Sequence, residues 1–299
     1  MGLKRWLVTR VSAWLTHEAG GESELPLCDF ERLGVEIRPG DVLLVEGNSR
    51  VSNITKTITH SPWTHSALYL GRLRDIEDPQ LQAQVRRYFN GDDHEQLVIE
   101  PLLGEGTVIN PLAKYRDFHL RICRPQGLSR QDGQQVLAAT LAHLGGEYDF
   151  RQMLDLARFM LPFGILPRRW RSTLFNYHPG EQSKTVCSTM IAEAFASVHF
   201  PILPVVHRAA DGGLKLYKRN PRLYTPSDFD YSPYFEIIKY PLLGGDDLAL
   251  YRQLPWDQEG VVCNAHGDCY IPPSKASGDA GKGGVGDSVP LEQHLQHKV

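Results

Sequence analysis

The sequence predicts an α+β fold, an antiparallel sheet or barrel packed against helices. Three observations predict it. Short apolar runs separated by turn residues fill the chain from Asp41 to Cys123. Two segments of helical periodicity follow, at 129–144 and 186–198. The strands come as a block and do not alternate with helices, which argues against a parallel βαβ sheet.

The elements follow in order. Leu3, Trp6, Leu7, Val11, Trp14 and Leu15 share one helical face, with Lys4, Arg5 and Arg10 tending to the other. Residues 16–34 are polar and irregular. Arg38-Pro39-Gly40 turns into a strand at Asp41–Val45. Residues 49–60 are hydroxyl-rich and suit a short helix. They lead to Trp63-Thr64-His65-Ser66-Ala67-Leu68-Tyr69-Leu70-Gly71, a strand with a histidine at its start. The charged residues 74–95 read as a surface insertion. Leu97–Glu100 and Thr107–Ile109 are strands around the turn Gly104-Glu105-Gly106, and Leu120–Cys123 is another. Ser129 caps a helix that ends at Gly145-Gly146. Around Cys187, apolar Val186, Met190, Ile191, Ala194, Phe195 and Val198 mark an amphipathic helix, with Ser183 or Thr185 as N-cap. Phe235–Ile238 is a last strand. The organisation expected is an N-terminal amphipathic helix and linker (1–34), one catalytic domain (35–243) and an extension (244–299), disordered after 272.

Composition narrows the function. The chain has 299 residues, 41 % hydrophobic and 22 % charged, enough for a sizeable core, and its net charge of −3 gives no nucleic-acid signature. Five cysteines at irregular spacing argue against a disulfide framework and for a reducing, cytoplasmic setting. No apolar run reaches the length of a spanning helix.

The chemistry centres on Cys187. A thiol in the first turn of a helix is drawn toward thiolate by the dipole and the free N–H groups. A nucleophilic cysteine needs an imidazole and a polar group to hold it. His65 begins one strand run and Glu100 ends a neighbouring one, and these are the candidates, with Asp41 a weaker orienter. Trp63, Tyr148 and Ser188 are the candidate substrate-binding residues. No cofactor or resident metal is implied. Cys263-Asn264-Ala265-His266-Gly267-Asp268-Cys269 carries three metal-type ligands but no fourth, which suits free or paired thiols better than zinc.

The blocks Pro39-Gly40-Asp41-Val42-Leu43-Leu44, Trp63–Gly71, Val98-Ile99-Glu100, Gly146-Glu147-Tyr148-Asp149-Phe150 and Val186-Cys187-Ser188, in that order, resemble the circularly permuted branch of the NlpC/P60 papain-like cysteine hydrolases, the YiiX/YebB-like group. In that branch the histidine precedes the cysteine, as here. The resemblance implies a permuted papain-like fold in which His65 is the base, Glu100 the third member and Cys187 the nucleophile. It also implies cleavage of an amide or peptide bond, as in a cell-wall fragment, through an acyl-enzyme. Val186 and Thr189 stand where the family often has Tyr and Glu, which bears on the substrate.

Two basic, apolar stretches, residues 3–15 and 151–171, suggest contact with an anionic membrane surface and hence a peripheral place at the inner membrane. They keep two rival functions open. One is a lipid-directed acyltransferase or thioesterase taking an amphiphilic substrate. The other is a non-catalytic membrane-associated binding module of the same fold.

Overall fold

The computed structural model describes residues 25–146, 186–209 and 212–243, together with 10, 13–15, 17, 249–256, 262–263, 268–270 and 288–290. The chain divides into two units, Met1–Gly20 with Glu24–Leu242 and Gly21–Ser23 with Leu243–Val299.

The first unit is α+β. Helix α1 (Phe30–Glu36) is capped by Asp29, whose carboxylate accepts from the Arg32 N–H. Strand β1 (Val42–Glu46) follows, then α2 (Arg50–Thr59), β2 (His65–Gly71), α3 (Pro79–Tyr88), β3 (Leu97–Leu102), β4 (Gly106–Pro111) and β5 (His119–Pro125). Helix α4 (Arg130–Leu141) starts at Ser129, which caps the Asp132 N–H. Then come α5 (Cys187–Ser197), β6 (Val205–Arg208), β7 (Leu214–Tyr217), α6 (Pro226–Tyr231) and β8 (Phe235–Ile238). Six strands form one sheet in the order β4-β3-β2-β1-β5-β8, with every neighbouring pair antiparallel.

The sheet is buried on both faces, and the side-chain period of two sorts its residues. Val42, Leu44, Leu68, Leu70, Leu97 and Ile99 join the core beneath α4 and α5, with Val136, Leu137, Ile191 and Phe195. Leu43, Val45, Ala67, Tyr69 and Val98 point the other way and pack with Leu33, Ile37, Leu112 and Tyr115. Helix α5 is apolar nearly all round, with Cys187 to Ala192, Ala194 and Phe195 all buried, so it runs inside the domain.

Several expectations change. Residues 74–95 are not a mere insertion. They hold α3, which buries Val85 completely, because Leu81, Val85 and Phe89 recur at helical spacing within a charged run. The first residue of α5 is Cys187 and its N-cap is Val186, which provides no side-chain cap; Ser183 and Thr185 lie outside the described residues. At the N-terminus Leu15 is fully buried, and Trp14, 51 % exposed, lies under the Arg50 guanidinium. This end of the amphipathic stretch therefore packs on its own domain. Residues 151–171 lie outside the described residues, and no helix among those described is long and apolar enough to cross a membrane.

In the second unit, Val262–Cys263, Asp268–Tyr270 and Ser288–Pro290 make a small antiparallel sheet, a strand where disorder was expected at 288–290. Cys263 faces Cys269 across it and is disulfide-bonded. Among the described side chains, Cys28, Cys123 and Cys187 are free. A bonded thiol is no zinc ligand, so Cys263 offers none; His266 lies outside the described residues.

Candidate active site

His65 opens β2 opposite Val45 of β1. Alternation puts His65 on the face of Ala67 and Tyr69, and Glu100 on the face of Val98. Leu68 pairs with Ile99, so His65 and Glu100 are diagonal neighbours on one face of adjacent strands. The imidazole Nε2–H donates to Glu100 Oε2 at 2.5 Å. The same alternation brings Asn110 of β4 to that face, where its Nδ2 donates to Glu100 Oε1 at 2.7 Å. The 3₁₀ turn Leu112–Tyr115 supplies two more donors: Lys114 Nζ to Oε1 at 3.0 Å, and the Tyr115 hydroxyl to Oε2. Glu100 is wholly buried yet fully partnered.

Electrostatics fixes its charge. Burial alone would raise the Glu100 pKa, but the His65 hydrogen bond, then the charges of His65 and Lys114 and the Tyr115 bond, pull it well below the usual carboxylate range. Burial, reinforced by the Glu100 charge, keeps the Tyr115 hydroxyl protonated, so it remains a donor.

With Nε2 taken by Glu100, the other ring nitrogen is left for Cys187. The thiol, 7 % exposed, sits at the first residue of α5. Burial would raise its pKa. The neighbouring His65 charge, with the Ser66 backbone, overcomes that and lowers it. His65 responds in the opposite sense: burial would lower its pKa, but Cys187 and then Glu100 raise it strongly. The pair therefore favours thiolate beside imidazolium. Cys28 and Cys123 show the contrast, since burial raises both.

The site opens into a cleft of about 520 Å³. Val51, Ser52, Thr55 and Thr59 form one wall along a single face of α2. The Thr55 and Thr59 hydroxyls donate to the Val51 and Thr55 carbonyls, and Ser52 bonds Ser49, so this wall has little spare polar capacity. Leu102, Leu103, Phe118, Val186, Tyr224 and Pro226 complete a largely apolar lining. Gly47 lets β1 turn into α2, because a Cβ there would fall 2.5 Å from Ser52 Oγ.

The structure thus brings Cys187, His65 and Glu100 together and separates the other candidates. Trp63 is 2 % exposed, stacked on His119, and does not line the cleft; it precedes β2 and packs into the core with Leu44 and Leu68. Ser188 lines the cleft, but its hydroxyl donates to the Tyr224 carbonyl at 2.5 Å, so it holds a cleft wall. Tyr148 lies outside the described residues. Asp41 is no orienter. It sits at the opposite end of β1, clamped by Arg124 at 2.9 Å and by the Arg38 N–H. Sequence reasoning missed Tyr115, Lys114, Asn110 and the cleft face of α2. Period two would have found Asn110; nothing periodic marks Tyr115 in its short turn.

No protein-family model matches the chain, and a search of curated proteins finds no significant match. Among solved structures the chain is similar to the metalloprotein YiiX of Escherichia coli O157:H7, a DUF1105 protein. The likeness has a TM-score of 0.40 at 15 % identity, over 68 % of this chain and 97 % of that one.

Proposed function

We propose that this chain is a cysteine hydrolase of the permuted papain-like type, acting on an acyl carbon held in the cleft. One observation carries the reading: His65 and Cys187 face one cleft, and the same imidazole is held by a buried carboxylate fixed by three further donors, which lowers the thiol's pKa. Such a constellation makes a nucleophile at neutral pH. The Cys187 thiolate attacks the carbonyl carbon and a C–S bond forms. The oxyanion faces N–H groups at the N-terminus of α5, which no side chain caps. The C–N bond breaks as the His65 imidazolium gives its proton to the leaving amine. Water then attacks the acyl-enzyme, His65 takes its proton, and the C–S bond breaks. Glu100 holds the ring and balances its charge. An amide or peptide bond is the substrate class that the NlpC/P60-like sequence blocks imply.

The apolar lining favours a second reading, an acyl ester or thioester of an amphiphile, handled by the same thiolate. An activity-based thiol probe is the first test. Selective labelling of Cys187, lost in His65→Ala, is the result expected. Labelling spread equally over Cys28, Cys123 and Cys187 leaves a binding module that merely shares the fold. Amide and thioester substrates with long acyl groups then separate the two hydrolytic readings. Cys187→Ser should lower turnover by about 10³-fold or more.

A further inference from the structure

Strands β6 and β7 form a hairpin that belongs to neither sheet face. Val205 pairs with Tyr217, Val206 with Leu216, His207 with Lys215 and Arg208 with Leu214. All eight residues are exposed. Directly opposed residues share a face, so Val206, Leu216, Leu214 and Arg208 lie on one side and Val205, Tyr217, His207 and Lys215 on the other. Leu214 is 65 % exposed, Leu216 55 % and Val206 53 %. An isolated two-stranded hairpin is marginal in water at best, and one offering five large apolar side chains to solvent invites a partner. The charges say which partner. The two strands carry Arg208, Lys215 and His207 and no carboxylate, and Lys218 and Arg219 follow directly. Arg219 is paired with Asp228, whereas Arg208 lies on the Val206, Leu214 and Leu216 face and Lys215 on the opposite one, from which its long stem can reach the same headgroup plane. Aliphatic tips flanked by cations fit acyl chains beneath anionic headgroups.

The geometry points to this hairpin as a docking element for an anionic lipid surface, with Val206, Leu214 and Leu216 inserted and Arg208 and Lys215 at the headgroups. It lies just before the segment holding Arg222, Tyr224 and Pro226, which line the cleft. Lys218 also ties its base to the α5 end, donating to the Ala196 carbonyl at 2.8 Å.

Co-sedimentation of the full chain with phosphatidylcholine vesicles, with and without phosphatidylglycerol, tests this at low and high salt. Binding to the anionic vesicles that weakens with salt is expected. Combined Val206→Ser, Leu214→Ser and Leu216→Ser should reduce it about tenfold or more. Arg208→Gln and Lys215→Gln should each cost roughly fivefold and only on anionic vesicles. Unchanged alkylation of Cys187 will show that the variants fold. Three results overturn the inference: no binding by the wild type, triple-serine binding equal to wild type, or a concentration-dependent dimer that the serine changes abolish. The last would make a second copy the partner.

Discussion

Two buried carboxylates sit in one sheet and do opposite things. Glu100 and Asp41 are 0 % and 2 % exposed, and each meets a cation. Asp41 is gripped by Arg124, which also bridges to Glu36 at 2.6 Å, yet burial still holds its pKa above the usual value. Glu100 has a histidine, a lysine, an amide and a phenol around it and is held below that value. Asp41 is locked between fixed partners and does not line the Cys187 cleft. Among the groups around Glu100, His65 is 20 % exposed, faces the cleft and can exchange a proton there. Burial and charge therefore do not mark a functional carboxylate; what matters is whether one of its partners is free to exchange a proton.

The largest effect should come from cutting that link. His65→Ala leaves the burial of Cys187 unopposed, so the alkylation rate at about pH 6 should fall on the order of 10²-fold. In the wild type that rate should persist at pH values where Cys28 and Cys123 are silent. A His65→Ala profile that matches the wild type would mean the imidazole does not govern the thiol.

Next comes stability. Asp41→Ala removes one of the two carboxylates holding Arg124, which keeps Glu36, and should cost about 1–3 kcal/mol in urea unfolding, with the Cys187 alkylation profile unmoved. Glu100→Gln should do the reverse, lowering reactivity roughly tenfold or more and shifting its onset upward in pH. If Asp41 is the residue whose loss moves the profile, the comparison has been drawn the wrong way round.

A pH series sharpens it. The folded Glu100 pKa lies below the unfolded one, so its ion pairs stabilise above the unfolded value and that stability is lost as pH falls through the folded value. The Tm gap between wild type and Glu100→Gln should close as pH drops below about 4.3. For Asp41, whose folded value is raised, no such closing is expected. Smallest is Tyr115→Phe, which removes one of four donors and should lower reactivity only about two- to fivefold. A larger loss would give the phenol a role of its own.

The strands, α4, α5 and the Cys187–His65–Glu100 set were legible because each rests on local periodicity or on residue types that chemistry restricts. Glu100 stood out as a carboxylate ending an apolar run. Trp63 misled because an aromatic before a candidate base reads like a binding residue, whereas the chain before β2 breaks the alternation and turns this ring into the core with Leu44 and Leu68. Tyr115 and Lys114 were invisible because a single 3₁₀ turn carries no repeat, and their value depends on β3 and β4 being aligned by register. The β6–β7 hairpin was lost in a proline- and aromatic-rich stretch, since strands exposed on both sides show no burial alternation.

The order of the chain has a consequence for synthesis. Strands β1 to β4 pair as sequence neighbours in a meander, and β5 adds beside β1, so the imidazole and its carboxylate come together through short-range contacts. The thiol belongs to a helix emerging from the ribosome well after β5 is complete. A nascent chain can thus hold a finished His65–Glu100 pair with no sulfur to activate. The imidazole gains Cys187 as a neighbour in the cleft only when α5 closes over the sheet.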